Sequence, residues 1–231
     1  MTTHIFLETT APLLHSYESL ALQHKKNSDG NYHTAFPLLI INASIVEGIL
    51  RYWLVGEVKK TMKKLVEEGV AAGRNSKNKA ELLLENYLIE IEGNGGFEKL
   101  KAQYKFFFSV PFDRNSSDYR LDTIQALFTL RNVLAHGTAI VAPKNLSSSP
   151  NKQDYADSWQ SRLQSVTVML KSLTGCDDIF AALNDAKVPS YFFENSVSFI
   201  KSIRSKLPDN MEEGKAFKEL QAMSFGYRNL T

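Results

Sequence analysis

Apolar positions recur along this chain at helical spacing, with almost no alternation of the kind a strand needs. Leu13, Leu14, Tyr17, Leu20 and Ala21 place a helix within Glu8 to Lys26. The turn-formers Asn27-Ser28-Asp29-Gly30-Asn31 break it. A long helix follows over about Ala35 to Gly69, with Thr34 as its expected N-cap and Pro37 in its first turn. Leu38, Ile41, Ile45, Ile49 and Trp53 form its apolar stripe, widened by Leu39, Val46, Leu50 and Leu54. Its second half, Glu57 to Glu68, is charged and is expected to project from the body.

Further helices are expected at Lys79 to Glu92, with Leu83, Tyr87 and Ile91 on one side, and at Phe97 to Phe108. Gly93-Asn94-Gly95-Gly96 separates them, and Pro111 bars continuation of the second. The next helix runs from about Arg120 to His136, held in the core by Ile124, Leu127, Phe128, Leu134 and Ala135. Gly137 stands where a helix end favours a left-handed residue. Thr138 to Asp154 is a long connection, with a short extended piece at Ala139 to Val141. Helices at Asp154 to Leu173, Asp177 to Leu183, Tyr191 to Leu207 and Glu212 to Ser224 complete the chain. The fold class is all-α, in one domain over 1–231, with a core at about 36–173 and a C-terminal helical extension at about 177–231.

Composition narrows the function. With 231 residues, 43% of them hydrophobic and 23% charged, the chain reads as an ordinary soluble globular protein. A net charge of +2 disfavours a general nucleic-acid coat. Cys176 is the single cysteine, so neither an internal disulfide nor a cysteine-cluster metal site is available. It reads as a small apolar filler near a helix start. The N-terminal stretch carries no signal-peptide pattern and the longest apolar run, near Phe36 to Ile41, is short, so a cytoplasmic protein with no membrane span is expected. His4, His15, His24 and His33 show no metal-ligand spacing. Phosphate-loop, dinucleotide and serine-hydrolase motifs are missing. No metal and no cofactor is expected.

Leu127 to Gly137 is the one stretch that suggests chemistry. Asn132 and His136, four apart, share a helix face. Arg131 lies about 100° from Asn132 and about 140° from His136, within reach of a long side chain. Histidine exchanges a proton near neutral pH. Arginine offers a cationic fork for phosphate, and asparagine can orient either group. Such a set suffices to cut RNA without a metal, because the nucleophilic 2′-hydroxyl belongs to the substrate. One histidine cannot easily serve both sides of the phosphate, whereas two copies of the helix in a dimer can. A helix end whose Arg131 and His136 merely complement the helix dipole is the plainer alternative.

Arg131-Asn132-Val133-Leu134-Ala135-His136 resembles the Arg-x(4–6)-His motif, in its Arg-Asn-x-x-x-His form, of the HEPN superfamily. The resemblance implies a helical bundle and a metal-independent endoribonuclease with Arg131, Asn132 and His136 as its catalytic set. It implies a homodimer with facing motif helices, an RNA substrate, and a role in toxin–antitoxin, antiviral or stress systems. A cognate antitoxin or regulatory protein is a further implied partner. Asn42, Glu47 and Arg51 resemble the early helix of such domains, which makes Glu47 and Arg51 candidates for cleft support. Four apart, they are equally placed for a structural ion pair. Lys59, Lys60, Lys63, Arg74 and Lys77, in the densest basic region together with Lys64 and Lys79, are candidates for RNA-backbone contact. A solvated helix face is the alternative for them. Tyr104, Phe106, Phe107 and Phe108 read as core or interface before base stacking. The rival functional reading is a non-catalytic dimeric module of the same kind that binds RNA, a nucleotide or a partner protein.

Overall fold

In the computed structural model, residues 8–26, 32–93, 95–137 and 163–223 are described. They form α1 (Thr10–Lys26), α2 (Tyr32–Ala71), α3 (Lys79–Gly93), α4 (Phe97–Phe108), α5 (Leu121–His136), α6 (Leu163–Thr174), α7 (Ile179–Asn184), α8 (Lys187–Arg204) and α9 (Lys215–Ala222). No strand occurs among the described residues. The expected break at Asn27 to Asn31, the connection from Thr138, the extended piece at Ala139 to Val141 and the Asp154 to Arg162 part of a helix lie outside them.

α2 is the axis of the fold. Its 40 residues span about 60 Å at the usual helical rise. From Ala35 to Val58 its buried side chains include Leu38, Leu39, Val46, Leu50, Trp53 and Leu54, so apolar residues cover most of its circumference. It needs neighbours on several sides, and α1, α3, α4, α5, α7 and α8 pack against it. The stretch His33–Ala71 is long and apolar enough to cross a membrane by length and composition, unlike the short run expected. Its most apolar window is 61% buried inside the fold, as α2's place at the centre of the helix packing requires.

α2 begins earlier than the sequence pattern indicated. Thr34 lies inside it, and its hydroxyl pairs with His24 Nδ1 at 2.7 Å instead of capping the helix. Pro37 therefore sits beyond the first turn, where it withholds one backbone donor. Past Val58 the helix leaves the core, and Lys59, Lys60, Lys63, Lys64, Glu67 and Glu68 are exposed, as expected.

α3 opens with a reciprocal cap. The Asn78 side chain accepts from Glu81 N at 2.9 Å, and the Glu81 carboxylate accepts from Asn78 N at 2.8 Å. Its inward positions are Glu81, Leu88 and Ile91. Leu83, expected inward, is 69% exposed, because the side of α3 that meets α2 carries positions 81, 88 and 91. Phe106 of α4 is 79% exposed and lies in a T-shaped contact with Tyr87.

The C-terminal segment is woven into the same core. α8 packs against α2 and α5, with Phe192, Phe193, Phe199, Ile200 and Ile203 buried. It starts at Lys187, four residues before the expected Tyr191, because Pro189 suits a first helical turn. α9 is tied to the other end of the chain. The Glu8 carboxylate accepts from Lys215 N at 2.7 Å and Ala216 N at 3.0 Å, where negative charge favours a helix start. Cys176 is half-buried against the core, as its filler reading requires.

Candidate functional site

α5 carries the site, and its composition explains its position. Leu121, Ile124, Leu127, Phe128, Leu130 and Val133 are buried and seat the helix between α2, α6 and α8. Ala135, expected in the core, is exposed, whereas Leu134 beside it is half-buried against the core. Gly137 closes the helix in the left-handed region at φ 59°, with its N–H bonded to the Val133 carbonyl. The helix therefore ends at His136.

Arg131 lies at the α2–α5 seam. One guanidinium nitrogen, Nη2, donates to Glu47 Oε2. The other, Nη1, donates to Asn132 Oδ1 at 3.2 Å. The guanidinium carbon stands 5.8 Å from the centre of the Phe128 ring, within cation–π range. Its Nε is buried without a hydrogen-bond partner.

Glu47 is shared by two arginines. Its Oε1 accepts from Arg51 Nε at 3.1 Å, from Arg51 Nη2 at 2.8 Å and from Gly96 N at 3.3 Å. The expected four-residue pair is thus formed, and Arg131 joins it from another helix. Arg51 also donates to the Ile91 carbonyl and, at 3.5 Å, to that of Glu92, so it closes the end of α3. Among the described residues, two guanidiniums against one carboxylate leave one positive charge on the cluster. The Glu47 side chain is only 13% exposed, which strengthens these interactions relative to water.

The glycine loop completes the cluster. A Cβ on Gly95 would lie 3.0 Å from Glu47 Oε1 and 3.1 Å from Arg51 Nη2, so only glycine approaches these groups without displacing them. The sequence marked this loop as a breaker and not as part of the site. Its second role follows from the Glu47 contact, which no local pattern encodes.

His136 stands apart from the cluster. It is exposed, ends α5 and bonds no described residue. Asn132, which touches Arg131, lies one turn earlier on the same face. The structure thus brings Arg131, Asn132, Glu47 and Arg51 into direct contact and leaves His136 at the adjoining helix end. Asn42 is buried on α2 with neither side-chain polar atom hydrogen-bonded.

The basic candidates lie elsewhere, and each has a carboxylate beside it. Lys59 meets Glu92 at 3.4 Å, Lys60 meets Glu57 at 3.5 Å and Lys63 meets Glu67 at 3.7 Å. Lys77 meets Glu85 at 2.8 Å. Arg74 grips the buried Glu81 through both carboxylate oxygens, at 2.5 and 2.9 Å. Those bonds hold the Glu81 carboxyl below its usual range against the opposing effect of burial. Local charge matching gives no support to an RNA track along this face.

A cleft of about 650 Å³ opens beside the cluster. Gly95 to Lys99 line one wall, and Asp122, Gln125, Phe128, Thr129 and Asn132 of α5 line the other. Positions 122, 125, 129 and 132 form one stripe at helical spacing, which His136 extends. That polar stripe on an otherwise apolar helix was a signal available in the sequence. Among the described residues no group of His, Cys, Asp or Glu is placed to hold a metal ion. Comparison with protein family models, curated proteins and solved structures found no match for the chain.

Proposed function

We propose that the protein is a metal-independent endoribonuclease whose active centre forms where two copies of the α5 end meet. The observation that carries this reading is the held guanidinium of Arg131, bonded to Glu47 and Asn132, five residues before the exposed His136. A cation fixed by a carboxylate is oriented before substrate arrives, which is what stabilising a crowded phosphate requires. The second arginine preserves net positive charge, so Glu47 orients without neutralising the cluster.

Chemistry follows from two imidazoles. The 2′-hydroxyl oxygen attacks phosphorus while one His136 takes its proton. The bond from phosphorus to the 5′-oxygen breaks, and the other copy's protonated His136 supplies a proton to that oxygen. A 2′,3′-cyclic phosphate and a 5′-hydroxyl result. Arg131 stabilises the charge on the non-bridging oxygens. The resemblance of Arg131 to His136 to the HEPN motif supports the same reading, together with the all-α fold. It also suggests a cytoplasmic toxin or defence role, with an antitoxin or regulatory protein as a partner.

The test is incubation of varied RNAs in EDTA with wild type and His136→Ala. Cleavage by wild type alone supports the proposal. Equal cleavage by both, or by neither, overturns it.

A binding module without turnover is the rival, and one observation favours it. Glu47 already occupies one edge of the Arg131 guanidinium, as in a structural ion pair. This reading expects RNA or nucleotide binding that Arg131→Ala abolishes, with no RNA turnover by the wild type.

A further inference from the structure

We propose that the cleft between the start of α4 and α5 is the pocket for an unpaired amino-bearing base of single-stranded RNA. The proposal rests on the reading of the α5 end as an RNA site and names what that site recognises.

The cleft is the right kind of space. Its volume of about 650 Å³ falls within the range of small-ligand pockets, about 300–1,000 Å³. Its apolar lining is Phe97 and Phe128, whose rings stack on each other at 4.6 Å and 15°. This pair is rigid, because Phe97 also meets Phe112 and Phe199. Both rings are buried, so they give the cleft a narrow apolar strip on which the edge of a base can rest.

Part of its polar lining on α5 is unspent. Neither the exposed Asp122 carboxylate nor the half-buried Gln125 amide bonds any described residue. The Thr129 hydroxyl donates to the Gln125 carbonyl at 2.9 Å, which leaves its oxygen free to accept. Asn132 has its oxygen on Arg131, so its amide hydrogens are left to donate.

Charge sets the direction of the occupant. One end of the stripe adjoins the Arg51–Glu47–Arg131 cluster with its net positive charge. The other end carries Asp122, while in the start of α4 Glu98 is paired with Lys101 at 3.1 Å and Lys99 with Glu90 at 3.4 Å. From Gln125 to Asn132 the helix rises about 10 Å. A nucleotide has this polarity. Its phosphate is anionic, and the exocyclic amine of adenine, cytosine or guanine donates hydrogen bonds. Asp122 and the Gln125 oxygen are acceptors for that amine, as carboxylates are for cytosine and amides for adenine. Uracil presents a carbonyl at the same place and meets the acceptors unfavourably.

The experiment measures binding of non-cleavable 2′-O-methyl oligonucleotides of A, C or U by fluorescence anisotropy, using the full chain. The wild type is expected to bind A or C oligomers about tenfold more tightly than U, the scale of one well-made base contact. Gln125→Leu and Asp122→Asn are each expected to flatten that difference, with the fold checked by circular dichroism. Phe180→Ala, on the exposed side of α7 outside the cleft, is the control and keeps the preference. Equal affinity for A, C and U, no binding of any oligomer, or a preference that survives both cleft substitutions overturns the proposal. Failure of the nuclease reading is seen separately. Base-selective binding without cleavage sinks the nuclease and keeps the pocket, whereas cleavage in EDTA without base-selective binding sinks only the pocket.

Discussion

Arg131 of α5 donates to the carboxylate of Glu47 on α2, 84 residues earlier in the chain. This bond joins the helix that carries the candidate chemistry to the helix that organises the fold. Arg51 and the Gly96 backbone share the same carboxylate, so one side chain collects α2, α5 and the loop before α4.

Glu47→Ala removes the carboxylate that two guanidiniums share at one seam. The pair then repel each other, and the Gly96 N–H loses its acceptor. The expected loss is about 3 kcal/mol of folding stability, the scale of breaking a largely buried ion pair by deleting one partner. Urea denaturation of the variant beside wild type measures it. A loss under about 0.5 kcal/mol, the ordinary range for surface changes, contradicts the description of Glu47 as the joint between these helices.

Arg131→Lys is expected to lower activity and not to restore it. A lysine ammonium is a single point of charge and cannot bond Glu47 and Asn132 along two edges as the guanidinium does. RNA cleavage by this variant should fall about tenfold or more below wild type, the scale of one oriented electrostatic contact in a transition state. Wild-type turnover by Arg131→Lys would show that orientation of the fork does not matter.

His24 makes stability depend on pH. It is 4% exposed and bonds Thr34 and the Ala186 carbonyl, joining α1, α2 and the start of α8. Burial lowers its pKa from the ordinary 6.5, against the opposing effects of the Ala186 carbonyl and Asp185. The unfolded chain therefore binds the proton more readily than the folded one. Stability is full above about 6.5 and falls as pH drops from there through the folded pKa. Melting temperatures from pH 7.5 to 5.5 should decline in wild type and decline less in His24→Gln. Parallel slopes for the two proteins would contradict the assignment to His24.

Asn78→Ala deletes one half of the reciprocal cap on α3 and should cost about 1 kcal/mol. The lowered pKa of Glu81 adds an acid limit, since its contribution is present above the ordinary carboxylate range and is lost as pH falls through the folded value. Thermal melts at pH 7 and pH 4 separate the two. The Asn78→Ala loss appears at both, whereas Glu81→Gln should narrow the gap between them.

Local pattern was legible where one stretch of chain decides its own structure. α4 spans Phe97–Phe108 as expected from the flanking glycines and Pro111, and Gly137 ends α5 as its place after the apolar run indicated. The Glu47–Arg51 pair followed from spacing alone. The start of α2 was misplaced because Thr34 looked like a cap, while its hydroxyl is instead claimed by His24 across a helix interface. Leu83 and Ala135 were placed inward by their apolar character, yet whether such a side is covered depends on which neighbour arrives there. The site divides in the same way. Arg131, Asn132 and His136 stood out by composition and spacing. The Glu47 contact, the role of Gly95 and the cleft wall from α4 arise from pairings between distant segments, which no periodicity records.

End-group analysis of RNA cut by the wild type in EDTA tests the central claim most directly. The account predicts fragments ending in 2′,3′-cyclic phosphate with 5′-hydroxyl partners, read by mass spectrometry, and none of either from His136→Ala. Fragments with 3′-hydroxyl and 5′-phosphate ends, or the same fragments from His136→Ala, would contradict it.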